Sequence, residues 1–233
     1  MRSVFDNSDI HAIKMGMLHD YATTRIVAET LFKSGKTMPP LICDPVCVSN
    51  SGQTLLRHDA IEFMATRLFP MAALITPNKT EAKLFLALQG ITQKIETLDD
   101  ILTAAELLLR SVCGNGAVLL KGGYFTATMS DVIIMSAERP DIHIVKHGFY
   151  GENMEILRAS HQNYSQSELA IDVLHQASGE KTLFVRPRIK HSSTHGERCT
   201  LSSAIACEIA LGCDCEYTTS NFWSFRCADN MYQ

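Results

Sequence analysis

The 233-residue chain has no block of basic residues and no apolar run of membrane-spanning length. Its 21 Lys and Arg against 25 Asp and Glu leave a formal net charge of -4. No cluster of cations is therefore present to neutralise a run of nucleic-acid phosphates or to hold an anionic membrane surface. The opening "MRSVFDNSDIHAIKMG" lacks the apolar stretch of a secretory signal. These absences predict a soluble cytoplasmic protein with neither nucleic acid nor membrane among its partners. Internal repeats and low-complexity segments are missing too. Paired metal-ligand spacing is also absent: Cys213 and Cys215 are too close for a zinc knuckle and have no second ligand pair. Of the eight cysteines, Cys43, Cys47, Cys113 and Cys207 lie in apolar segments, where reduced thiols are expected to act as small hydrophobes.

What is present is 46% hydrophobic content, enough for one sizeable core and hence a single globular domain. Short β-branched runs alternate with stretches of helical period, the pattern of βα units around a parallel sheet. "HAIKMGML" (11 to 18), "PLICDPV" (40 to 46), "AALIT" (72 to 76) and "AVLLKGG" (117 to 123) read as strands. Helices are expected over "YATTRIVAETLFKSGK", over the segment where Ile61, Met64, Ala65 and Leu68 share a face, over "KTEAKLFLAL", and over "DDILTAAELLLRSVC" with Ile101, Ala105, Leu108 and Val112 at helical spacing. From Tyr124 to Pro187, "SDVIIMS", "IHIVKH", "LAIDVLH" and "KTLFVRPRI" read as strands, and "GENMEILRASHQNYSQSE" as a loop with a helical turn. The last residues, from Cys213, have no readable period.

Four constellations carry chemistry, all near strand ends, where open parallel sheets hold their ligands. Asp44-Pro45 can present a carboxylate to Mg²⁺, Pro45 keeping Asp44 extended; taken alone, such a pair at a strand end is more often a turn. In "TPNKTEA", Asn78 and Glu81 sit at a helix start, as ligand residues or as plain capping by Asn78 or Thr80. In "LLKGGY", Lys121 ends a buried strand and can reach phosphate oxygens, or it is a solvated lysine in a turn. In "STHGERCTLSSAIACEIALG" (193 to 212), a polar turn precedes a helix whose free N–H groups can hold an anion. That turn also reads as a simple cap by Ser193 or Thr194, or, with His195 as base, as the seat of a thiol nucleophile at Cys199.

Taken in order, "IKMGML", "CDPVCVSNSGQTLL", "LFPMAALITPNKTEA", "VLLKGG" and "THGERCTLSSAIA" resemble the successive motifs of the hydroxymethylpyrimidine/phosphomethylpyrimidine kinases of thiamine biosynthesis, within the ribokinase-like superfamily. The resemblance covers roughly residues 10 to 125 and 170 to 212. It implies an α/β fold, a Rossmann-like αβα sandwich with a mostly parallel sheet, and transfer of the γ-phosphate of ATP, with Mg²⁺, to the pyrimidine's hydroxymethyl group and then to its monophosphate. It implies Met17 and Val46 along the pyrimidine, Asp44 and Glu81 at the metal, and Asn78, Lys121 and Thr200 at the nucleotide. Gly196 to Cys199 then form the anion hole, with Cys199 where related sugar kinases carry an aspartate base.

The chain departs from that pattern in three places. His195-Gly196-Glu197-Arg198-Cys199 stands where the family has His-Gly-Thr-Gly-Cys, replacing a glycine that lets backbone N–H groups approach phosphate. Loss of one such donor costs on the order of 10² to 10³ in turnover. The family's first strand and glycine-rich loop have no counterpart before Val4, and its closing helices none after Gly212. The expectation is a kinase domain over 1 to 212, with an insertion at about 126 to 168 and an atypical tail over 213 to 233, a sheet short of one strand, and core surface exposed at both ends. Such a chain is either an active kinase or a silent relative that binds nucleotide, forms a homo-oligomer or pairs with a full-length homologue. A cysteine-dependent hydrolase is a third reading, resting on Cys199 alone.

Overall fold

The computed structural model describes residues 2–33, 38–49, 53–110, 116–123, 125, 127–146, 168–188, 197–214 and 219. The elements run α1 (Arg2–Asn7), β1 (Ile13–Met15), α2 (Tyr21–Lys33), β2 (Leu41–Cys43), α3 (His58–Phe63), β3 (Leu74–Ile75), α4 (Lys79–Leu88), α5 (Leu98–Leu108), β4 (Ala117–Lys121), β5 (Ala127–Thr128), α6 (Met129–Glu138), β6 (Ile142–Lys146), β7 (Glu168–Gln176), β8 (Lys181–Pro187) and α7 (Glu197–Ala210). The eight strands form one sheet in the order β1-β2-β3-β4-β7-β8-β6, with β5 beside β7. β1 to β4 are mutually parallel, β7 is antiparallel to β4 and β8, and β6 runs parallel to β8. The expected α/β architecture with a mostly parallel sheet is thus present.

Strand side chains alternate between faces, and the two apolar clusters follow that period of two. Ile42, Leu74, Ala117, Leu119, Leu174 and Phe184 pack on one face, against Leu201, Ile205 and Ala206 of α7. Cys43, Ile75, Val118, Leu120, Val173 and Leu183 belong to the larger cluster, with the buried residues of α2 to α6. Ile61, Met64, Ala65 and Leu68 are all buried, although the helix widens from α3 into a π turn over Met64–Leu68. In α5, Ile101, Ala105 and Leu108 are buried as the spacing predicts, while Val112 lies outside the described residues.

One element differs from the sequence expectation. "SDVIIMS" is part of helix α6, not a strand. Its β-branched run suggests extended chain, but Thr128 accepts the Asp131 N–H while the Asp131 carboxylate accepts the Thr128 N–H, a capping box that starts a helix. Met129, Val132 and Met135, at spacings of three, are then buried, and Ile133 and Ile134 are left to solvent. A second correction concerns Cys207, which is exposed, whereas Cys43 and Cys47 are buried as expected. Cys113, residues 151–167, where a loop is expected, and nearly all of the tail beyond Asp214 lie outside the described residues. Among the described residues no helix is long and apolar enough to cross a membrane.

Candidate active site

The period of two also aims the site. Asp44, Thr76 and Lys121 each lie two residues beyond a member of the α7-facing cluster, Ile42, Leu74 and Leu119, so all three point toward α7 at the carboxyl ends of β2, β3 and β4. There Asp44 Oδ1 accepts from Lys121 Nζ at 2.9 Å and from Thr76 Oγ1 at 3.1 Å, and Oδ2 accepts from Ser202 Oγ at 3.1 Å. All four residues are buried. The Asp44 N–H donates to Met15 O, which holds the turn after β2 against the end of β1. The Lys121 N–H donates to Pro77 O, extending the β3–β4 pairing by a bridge from Asn78 to Lys121.

Asn78 and Glu81 are brought to the same end by the start of α4. Asn78 caps the helix with its side-chain oxygen, accepting from the Thr80 and Glu81 N–H groups at 2.9 and 3.0 Å. Glu81 returns the bond, Oε2 accepting from the Asn78 N–H at 2.9 Å, and its Oε1 accepts from the Cys47 N–H at 3.1 Å. Capping and site membership are therefore compatible here: the capping box is what buries the Glu81 carboxylate beside Asp44. Burial pushes the Glu81 carboxyl above its ordinary value, and the Asp44 charge adds to this; Lys121 and the N–H donors from Asn78 and Cys47 pull the other way. The neighbouring Cys47 thiol is pushed up strongly, first by burial and then by Glu81, and is inert as a nucleophile.

Two buried carboxylates near enough to feel each other offer hard oxygen donors of the kind Mg²⁺ takes, the remaining positions being filled by water and phosphate. Among the described residues no group of three or more His, Cys, Asp or Glu could hold a metal by itself.

Val46, two residues past Asp44, has φ of 41°, in the left-handed region that a β-branched residue rarely enters. Met17, just past β1, is 46% exposed at the same sheet end. Cys199 and Thr200 lie in the first turn of α7, both exposed. Gly196 and the side chains of Glu197 and Arg198 lie outside the described residues. Thr76 and Ser202 are site residues that the sequence reading does not single out. Thr76 could have been found from its alternation with Leu74, and Ser202 from its place three residues before the buried Ile205 on the inner face of α7.

The phosphomethylpyrimidine kinase family model matches residues 1–148 and 143–221 of the chain. A hydroxymethylpyrimidine/phosphomethylpyrimidine kinase of Streptomyces coelicolor is 32% identical over 211 residues, 91% of this chain and 59% of that protein. One from Rhizobium meliloti is 30% identical over 212 residues, 91% of this chain and 61% of that protein. The chain therefore spans about 60% of the length of these relatives. Among solved structures, phosphomethylpyrimidine kinase from Clostridium difficile aligns with a TM-score of 0.62 at 26% identity, covering 97% of this chain and 73% of that one. The ADP complex of Bacillus subtilis pyridoxal kinase has the same fold, with a TM-score of 0.62 at 22% identity over 92% of this chain and 62% of that one. With the strand-end carboxylates, the buried lysine and the helix start all falling where the ordered motifs lead, the chain belongs to the phosphomethylpyrimidine kinase family.

Proposed function

We propose that the chain is an ATP-dependent, cytoplasmic kinase of hydroxymethylpyrimidine and its monophosphate. What carries the reading is the convergence of Asp44, Glu81, Asn78 and Lys121 with the start of α7 at one sheet end. In such a transfer the hydroxymethyl oxygen attacks the γ-phosphorus, the bond to the β–γ bridging oxygen breaks, and ADP leaves. The protein's part is positioning and positive potential. Lys121 has three N–H donors and spends one on Asp44 Oδ1, which aims the ammonium and leaves donors for phosphate oxygens. Magnesium held by Asp44 and Glu81 would supply charge neutralisation to those oxygens. Gly196 and the N–H groups opening α7 would hold the phosphoryl group, and Thr200 would serve the nucleotide, as the family resemblance implies. Cys199, exposed in the same turn, takes the hydroxyl proton. Met17 and Val46 flank the pyrimidine.

A second reading, a silent relative that at most binds nucleotide or pairs with a full-length homologue, is favoured by Glu197-Arg198 in place of Thr-Gly. One assay separates the two. Purified chain is incubated with MgATP and hydroxymethylpyrimidine, with pyridoxal as competing acceptor. ADP release that requires the pyrimidine and is lost in Cys199→Ala supports the kinase. Absence of turnover that Glu197→Thr with Arg198→Gly restores supports the silent relative.

A further inference from the structure

We infer that Ser202 is a positioning residue that ties α7 to the Asp44–Lys121 pair and sets the Asp44 carboxylate for the transfer. The inference rests on the kinase reading of the site for its catalytic consequence, and on hydrogen-bond geometry for the tie itself. Ser202 is fully buried, and its Oγ lies 3.1 Å from Asp44 Oδ2 and 3.0 Å from Cys199 O. A hydroxyl has one proton for these two acceptors. The Cys199 carbonyl already accepts from Ser203 Oγ at 2.9 Å, whereas Oδ2 has no other donor among the described residues. The charged acceptor therefore takes the proton, because a bond to a carboxylate is the stronger of the two.

This arrangement divides Asp44 by oxygen. Oδ1 is committed to Lys121 and Thr76, so Oδ2 is the oxygen with lone-pair capacity left for a cation or a phosphate-bound water, and Ser202 is its one donor among the described residues. The carbonyl that Ser202 also reaches belongs to Cys199, in the turn whose N–H groups face the transferring phosphoryl in the proposed reaction. One side chain thus bridges the metal-side carboxylate and the anion-side helix, alongside the packing of Leu201, Ile205 and Ala206 on the sheet.

The test compares wild type with Ser202→Ala, Ser202→Cys and, as control, the exposed Ser203→Ala. Two measurements are made on each: steady-state kinetics with MgATP and hydroxymethylpyrimidine, and hydrogen exchange along α7. Ser202→Ala is expected to lower kcat and the apparent Mg²⁺ affinity by about 10- to 100-fold, the range for partners that orient a ligand carboxylate, with the KM for the pyrimidine unchanged. Exchange in residues 201 to 204 should rise by about tenfold or more, while residues 206 to 210 keep the wild-type rate. Ser202→Cys, nearly isosteric and a weak donor, should fall between, and it carries the test if the alanine variant does not fold. Ser203→Ala should match wild type. Unchanged kcat and Mg²⁺ affinity in an active protein overturn the inference, as does exchange that rises evenly along the helix. If wild type shows no turnover, the kinase reading fails, and the local exchange pattern still decides whether the tie exists.

Discussion

Lys121 Nζ lies 2.9 Å from Asp44 Oδ1 in an ion pair whose side chains are only 5% and 1% exposed. A pair this deeply buried is poor as a source of stability, since both charges lose their hydration, but it is costly to break by halves. Replacing Lys121 by Met should leave the Asp44 carboxylate buried without its cation and lower the unfolding free energy by about 3–5 kcal/mol. Adding Asp44→Leu should recover most of that loss without restoring turnover. Urea denaturation of the two variants reads this directly; equal stability of single and double variants would contradict it.

Val46 is held at φ 41°, and a β-branched residue there stores about 1–3 kcal/mol of backbone strain. Glycine enters this region freely, at an entropic cost of about 0.5–1 kcal/mol. Val46→Gly should therefore raise stability by about 1 kcal/mol, while the KM for the pyrimidine increases if Val46 flanks it as proposed. Thermal unfolding and steady-state kinetics on one preparation check both halves.

Gly122 follows Lys121 at the end of β4, beside β7. Its N–H donates to Ile171 O at 3.0 Å and to Asp172 Oδ1 at 2.9 Å. A Cβ at this position would meet Ile171 O at 2.1 Å. Gly122→Ala must push the strands apart and carry Lys121 with them. The expected loss is about 3 kcal/mol, the upper end for overpacking, with turnover falling further than stability alone explains. A variant with wild-type melting temperature and kinetics would show that the strands yield without cost.

His175 makes stability fall in mild acid. Burial holds its imidazole below its ordinary 6.5, with Lys181 and Arg110 acting in the same direction and Glu106 opposing them. Its Nδ1 is buried and has no hydrogen-bond partner among the described residues. The folded-state pKa is depressed, so the unfolded chain binds the proton more readily. Stability is accordingly full above 6.5 and is lost as pH drops from there through the folded-state value. Denaturant midpoints between pH 7.5 and 5 should slope downward in wild type and flatten within this window in His175→Phe; parallel slopes would assign the effect to other groups.

Much of the site can be read from local pattern. The strand ends that carry Asp44 and Lys121, and the helix start that carries Asn78 and Glu81, follow from short apolar runs and a capping sequence, both of which act over a few residues. A capping sequence also marks α6, where Thr128 and Asp131 outweigh the β-branched run that follows them. There two local signals compete, and what decides between them is the burial of Met129, Val132 and Met135 against the rest of the core.

By itself, the sequence determined the strand ends and the helix start that carry Asp44, Lys121, Asn78 and Glu81, while it reads part of α6 as a strand and leaves Thr76 and Ser202 unmarked. It did not determine which of them touch. Asp44 and Lys121 are 77 residues apart, and Asp44 and Ser202 are 158 apart. Those contacts exist because β2, β3 and β4 lie side by side in the sheet and α7 packs across their ends. That decision belongs to the tertiary structure, since periodicity tells a side chain which way to face but only strand neighbourhood and helix packing supply what it faces.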